Sequence, residues 1–143
     1  DGKLEEQLGR FDGGPGKIAN PKALAVSPAG DILVIQYDGQ AVLFRNPGPE
    51  WNPTFIRSFR VDFSISPVAP RGSAFDGEER ILIADIWKPT PLVYSVDGER
   101  LLATTPERDL GRKGFGMIGA FQATDDRLYV LDRSQNVIWS VAR

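Results

Sequence analysis

At 143 residues the chain has the length of one ordinary domain, and its 41% hydrophobic and 25% charged content excludes general disorder. A formal net charge of −2, from 17 basic and 19 acidic residues, argues against a nucleic-acid binder, which needs a basic excess to neutralise phosphates. Cysteine and histidine are both absent, which removes disulfides, thiolate nucleophiles, imidazole bases and the usual zinc ligands, and no apolar run approaches the roughly 18 residues of a membrane-spanning helix.

The chain opens with Asp1-Gly2-Lys3-Leu4-Glu5-Glu6-Gln7-Leu8, a strand-like segment, followed by a glycine-rich stretch from Gly9 to Gly16. A phosphate loop would need a helix with a Lys-Ser/Thr pair behind it, or G-x-G-x-x-G between strand and helix. Neither follows, so the stretch reads as a turn.

The first repeated unit comes next. Ala23 to Val26 is a small-apolar strand, Ser27 to Asp31 a polar turn, Ile32 to Gln36 a strongly apolar strand, and Ala41 to Phe44 a third. These runs are β-branched or aromatic and bounded by Gly, Pro, Asp and Asn, which is hairpin chemistry. A proline-rich loop, Asn46 to Pro53, carries Trp51. Thr54 to Val61 then alternates apolar and polar residues, as a half-exposed outer strand does.

The same order recurs twice. The second unit runs Gly72 to Asp85, with Leu92 to Val96 as third strand and Arg100 to Thr104 as fourth. The third runs Gly119 to Asp132, with Val137 to Val141 as third strand. Ile32 to Ile81 spans 49 residues and Ile81 to Leu128 spans 47, a period that marks the blades of a β-propeller. The middle runs are apolar throughout and are expected to be buried on both faces between neighbouring blades. No amphipathic helix pattern appears, so the predicted fold is all-β: a β-propeller segment of three four-stranded antiparallel blades.

Leu8-Gly9-Arg10-Phe11, Gly13-Gly14-Pro15-Gly16, Asn20-Pro21, Gly30-Asp31 and Ile32-Leu33-Val34 together resemble an NHL-type repeat. The likeness is to bacterial six-bladed propellers that carry G-R-x-G-x-G-P-G-x-F-x-x-P before a blade. Phe11-Asp12 and Lys17-Ile18 depart from that stretch. The acidic residue that closes the second strand in the family is present as Asp85 and Asp132 but is Gln36 in the first unit. The resemblance implies half of a six-bladed ring and a periplasmic or extracellular location. It says little about activity, because propellers host many unrelated functions.

The third unit ends at Arg143 after its third strand, while Ser140 to Arg143 read into Asp1 to Leu4 reproduces the second unit's Ser95 to Leu101 pattern. The expected organisation is therefore 1–11 as an outer strand completing another blade, 12–63 as blade 1, 64–108 as blade 2, and 109–143 as blade 3 without its outer strand. Three wedge-shaped blades do not close a ring of about 4 to 8. Left alone, such an arc exposes apolar flanks. The expected partner is a protein that completes the ring, either a second copy or other subunits of a larger complex.

Candidate chemistry is sparse. Asp85 and Asp132 occupy matching positions, where they either face the central channel as ligands or acid/base groups or accept backbone N–H bonds in the following turn; the second reading is preferred. Glu78-Glu79 and Asp125-Asp126 read as solvated turns rather than a calcium loop. Trp51, Trp87, Lys88 and Pro89 lie in proline-stiffened loops, and Arg112 and Lys113 in a charged one; these six are the candidate partner contacts. No catalytic, cofactor or metal residues are assigned. Propeller enzymes similar to this family, such as lactonases and lyases, use His or a metal held by several side chains. The preferred function is a non-catalytic binding or assembly module. The alternative is a metal-dependent hydrolase or lactonase with its site at the ring centre.

Overall fold

The computed structural model describes residues 14–46, 48, 53–64, 70–76, 80–85, 87–88, 90–102, 116–124 and 126–142. Eleven strands and no helix are found among them: β1 Pro21–Val26, β2 Ile32–Gln36, β3 Gln40–Arg45, β4 Thr54–Arg60, β5 Pro70–Phe75, β6 Ile81–Asp85, β7 Leu92–Tyr94, β8 Arg100–Leu101, β9 Ile118–Ala123, β10 Arg127–Asp132 and β11 Val137–Ala142. They form three antiparallel sheets in simple up-and-down order, β1-β2-β3-β4, β5-β6-β7-β8 and β9-β10-β11. The segment expected as another blade's outer strand, residues 1–11, lies outside the described residues.

Each first hairpin is closed by the side chain that follows the first strand. Ser27 Oγ accepts the Asp31 N–H (2.9 Å), Asp76 Oδ1 the Arg80 N–H (2.8 Å) and Thr124 Oγ1 the Arg127 N–H (3.1 Å). Ser, Asp and Thr are suited to this because a short side-chain acceptor can satisfy a turn amide that has no ladder partner.

The sheets stack face to face. Leu33, Ile35, Ala41 and Leu43 of the first sheet meet Phe75, Ile81, Ile83, Leu92 and Tyr94 of the second in one buried cluster. Ala74, Leu82, Ala84 and Val93, on the second sheet's other face, meet Ile118, Phe121, Leu128 and Val130 of the third. A strand residue alternates faces along its sheet, so β6 divides its side chains evenly between the two clusters and is buried from end to end. The first strands adjoin one another, β1 beside β5 and β5 beside β9, which makes them the inner edge of the stack.

Outer strands add a polar clasp. Arg57 on β4 reaches the turn of the second sheet, with Nη1 2.9 Å from Asp97 Oδ1 and 3.2 Å from the Asp97 carbonyl oxygen. Phe59 stacks against Tyr94 at 5.4 Å, and the Tyr94 hydroxyl accepts the Asp62 N–H at 2.8 Å.

One expectation fails in part. β2 is buried throughout, as is β6, but β10 alternates, with Tyr129 and Leu131 each 39% exposed. The apolar run is the same, and neither end sheet has a described sheet on its far face; the difference is that Ile18, Phe44 and Phe55 pack over Ile32 and Val34 within the first blade, a cover that Tyr129 and Leu131 lack.

Candidate functional site

Three features could carry function: the residues that end each second strand, a bulge in each first strand, and the two open flanks of the stack.

Gln36, Asp85 and Asp132 end β2, β6 and β10, and all three are buried. Each reaches back to the segment that leads into its own sheet. Asp85 accepts the Ser64 N–H on Oδ2 (2.9 Å) and the Trp87 N–H on Oδ1 (3.0 Å). Asp132 accepts the Gly116 N–H on Oδ2 (3.3 Å), while its Oδ1 takes the Ser134 N–H (2.9 Å), the Ser134 hydroxyl (2.6 Å) and the Gln135 N–H (3.2 Å). Gln36 does the equivalent with an amide: Oε1 accepts the Ala19 N–H and Nε2 donates to the Lys17 carbonyl (3.4 Å). For both carboxyls burial is the largest single influence and by itself would raise the pKa. The donors around them act together in the opposite direction, led by Trp87 and Ser64 at Asp85 and by Ser134 and Gly116 at Asp132, and hold both below the ordinary carboxylate value. These carboxylates stay ionised, and each of their oxygens accepts at least one N–H from the chain itself. They are pins.

The bulges recur at one register. Pairing of β1 with β2 slips between Pro21 and Ala23, that of β5 with β6 between Pro70 and Gly72, and that of β9 with β10 between Ile118 and Ala120. The extra residues are Lys22, Arg71 and Gly119. An extra residue leaves the ladder and re-aims its side chain, a device common beside binding sites. Lys22 and Arg71 are exposed, and Lys22 Nζ stands 5.1 Å from the Tyr37 ring centroid.

Both outer faces of the stack carry apolar side chains. On the first sheet, Leu24 (62% exposed) and Val26 (56%) stand beside Ile32 and Val34, and Ile18, Pro21, Leu24, Ile32 and Val34 help to line an open, mostly apolar groove of about 470 Å³. On the third sheet, Tyr129, Leu131 and Ile138 (71%) are exposed.

Of the candidate contacts read from sequence, Trp87 is exposed at 63% and Lys88 is half-buried, adjacent in the β6–β7 turn. Trp51, Pro89, Arg112 and Lys113 lie outside the described residues, as do Glu78, Glu79 and Asp125. Among the described residues no group of three or more His, Cys, Asp or Glu side chains is placed to hold a metal ion, and no helix is long and apolar enough to cross a membrane. Sequence reasoning missed the bulged cations. Their one signal is the Pro-Lys and Pro-Arg pairs, Pro21-Lys22 and Pro70-Arg71, eleven residues ahead of Ile32 and Ile81.

No protein-family model and no curated protein matches the chain. Among solved structures, a protein provisionally designated a gluconolactonase is similar to it with a TM-score of 0.51 and 19% identity, over 85% of this chain and 38% of its own. The fold is a partial β-propeller. Virginiamycin B lyase from Staphylococcus aureus aligns with a TM-score of 0.48 and 12% identity, over 89% of this chain and 44% of its own. The chain therefore spans less than half the length of either protein. The three sheets are blades, β1, β5 and β9 are their inner strands, and the two apolar outer faces are the flanks on which neighbouring blades pack in a closed ring.

Proposed function

We propose that this chain is a non-catalytic assembly module, an arc of an NHL-like, six-bladed propeller whose open flanks are covered by further blades of a protein partner. The observation that carries the reading is the equivalence of the flanks to interfaces the chain already makes. Ile32 and Val34, on the outer face of blade 1, where Ile18 and Phe55 pack against them, match Ile81 and Ile83, which are buried against blade 1, and Leu128 and Val130, which are buried against blade 2. Tyr129 and Leu131, on the open face of blade 3, match Leu33 and Ile35 and then Leu82 and Ala84, the other halves of the same two interfaces. One open flank is thus the complement of the other.

A second copy is the partner that this complementarity fits. Two three-bladed arcs joined head to tail about a two-fold axis give six blades and bury both flanks. Burial of Leu24, Val26, Leu131 and Ile138 supplies the driving force, since each apolar side chain withdrawn from water contributes about 1.5–3 kcal/mol. Light scattering coupled to size exclusion tests this directly. A mass of two chains is expected, with dissociation on Leu24→Glu; a monodisperse single chain, or a dimer indifferent to that substitution, overturns it.

The rival reading, a propeller hydrolase with a central metal, draws on the gluconolactonase designation of the structural neighbour. Against it stands the occupation of Asp85 and Asp132 by backbone donors. A stoichiometric divalent metal retained through purification would reverse the preference.

A further inference from the structure

The two interfaces between neighbouring blades are built from equivalent positions, which the strand registers fix. Ala23, Gly72 and Ala120 share one position on the inner strands, and Leu24, Ser73 and Phe121 share the next. The step from one inner strand to its neighbour is close. A Cβ added to Gly72 would stand 3.2 Å from the Ala120 Cα and 3.5 Å from the Phe121 nitrogen, so this position in blade 2 lies against the backbone of blade 3. In blade 1 the same position is Ala23, which packs into the cluster shared with blade 2. In blade 3 it is Ala120, which is exposed. The contact made from blade 1 to blade 2 and from blade 2 to blade 3 is thus prepared once more and left open.

What Ala120 needs to meet is present on the other flank. Ile18, Pro21, Leu24, Ile32 and Val34 help to line the groove of about 470 Å³ on blade 1. Ile18 there takes the place of Phe63, which precedes blade 2 and packs in the cluster between blades 1 and 2.

Side-chain sizes on the two open flanks change in opposite directions. Between blades 1 and 2, the earlier blade contributes Leu33 and the small Ala41, and the later one Phe75, Ile83 and Leu92. At the same positions blade 3 has the larger Tyr129 and Ile138, while blade 1 has the smaller Val26, Val34 and Val42. At two further positions the exchange runs the other way, with Ser140 for Leu43 on blade 3 and Leu24 for Ser73 on blade 1. Bulk gained on one flank is set against bulk lost on the other. A packed interface requires this, because extra methylenes force strain and missing ones leave voids.

We propose that the groove on blade 1 seats blade 3 of a second copy, with Tyr129, Leu131 and Ile138 packing into it while Ala120 lies against Ala23 and Leu24. This joint rests on the two-chain ring proposed above and fixes which flank meets which, and in what register. Like flank does not meet like: blade 1 of each copy takes blade 3 of the other, and the assembly closes at two chains instead of growing.

The chain has no cysteine, so introduced thiols report the joint without background. Leu24→Cys and Ala120→Cys chains, refolded together from urea and treated with a short bismaleimide, should give a covalent product of two chains in denaturing electrophoresis. Each variant alone should stay at the mass of one chain. So should Ala120→Cys refolded with Leu102→Cys, since Leu102 is exposed just beyond the outer strand of blade 2 and on neither flank. Val26→Cys with Gln122→Cys, two residues further along the same two strands, is an independent pair with the same expectation. A chain carrying both Leu24→Cys and Ala120→Cys should link at both joints and stop at two chains; a ladder of longer products overturns the closure. Linkage of a single variant with itself shows like flank meeting like and overturns the joint. If neither pair links while light scattering gives two chains, the joint is wrong and the two-chain reading stands. A single-chain mass for the unaltered protein removes both.

Discussion

The carboxylate of Asp85 accepts the backbone N–H of Ser64 at 2.9 Å, joining the end of a buried strand to the chain that enters the same blade 21 residues earlier. Asp132 does the same for Gly116 and Gln36 for Ala19, so one kind of pin recurs in all three blades. Asp85→Ala leaves the Ser64 and Trp87 amides without their acceptor. A loss of about 2–4 kcal/mol is expected in urea unfolding, at the rate of roughly 1–3 kcal/mol per orphaned buried group. Asp85→Asn keeps one acceptor oxygen and should lose about half as much. A loss below about 0.5 kcal/mol for the alanine variant would mean that water serves these amides equally well.

The same pins set the acid limit of stability. Native Asp85 and Asp132 titrate below 3.8, the value expected once unfolded, so the native state binds fewer protons than the unfolded state in that range. Their contribution is fully present above about pH 4 and drains away as pH falls through the depressed native values. Thermal midpoints measured from pH 6 to pH 2 should fall at the acid end, and the Asp132→Asn variant should start lower and fall less.

Gly98 turns the chain between β7 and β8 at φ +83°, and a Cβ there would meet the Phe59 side chain at 2.7 Å. Both the positive φ and the overlap resist any larger residue. Gly98→Ala should cost about 2–4 kcal/mol, combining roughly 1 kcal/mol of backbone strain with overpacking. Phe59 also stacks on Tyr94, so any shift of its side chain to make room disturbs that contact as well. Equal melting temperatures for wild type and Gly98→Ala would refute the packing argument.

Ser73 sits at the position that Leu24 holds in blade 1 and Phe121 in blade 3. It is buried, and its hydroxyl finds no hydrogen-bond partner among the described residues. Removing a buried, unpaired hydroxyl relieves its desolvation cost. Ser73→Ala is expected to raise stability by about 1 kcal/mol in chemical denaturation; a clear loss would indicate that a bound water or ligand uses the hydroxyl.

The repeat was legible because a buried strand shared by two interfaces must be apolar on both faces, and Ile32–Ile35 and Ile81–Ala84 state that requirement in their composition. Leu128–Leu131 made the same statement and were only half buried, since composition records what a strand is built to pack against rather than what packs against it. The pins at Asp85 and Asp132 were readable from turn chemistry. The substitution of an amide at Gln36 was visible as a departure, yet its outcome was not: the longer side chain reaches the same entering segment by donating as well as accepting. The bulges were marked only by the matching Pro21-Lys22 and Pro70-Arg71 pairs. A slipped pair is a property of register between two strands, and Ile118-Gly119 in blade 3 carries no such mark of it.

Because each pin grips the segment ahead of its own first strand, the piece of chain that behaves as a self-consistent module is not the four strands alone. It begins near Lys17, Ser64 and Gly116, where the gripped residues lie. A chimera spliced at the first strand, at Pro70 or Ile118, would separate a clamp from what it holds, whereas one spliced just before Ser64 or Gly116 would carry lock and key together. The boundaries at which this arc can be shortened, duplicated or exchanged are thus written in three side chains, Gln36, Asp85 and Asp132, far along the chain from the seams they define.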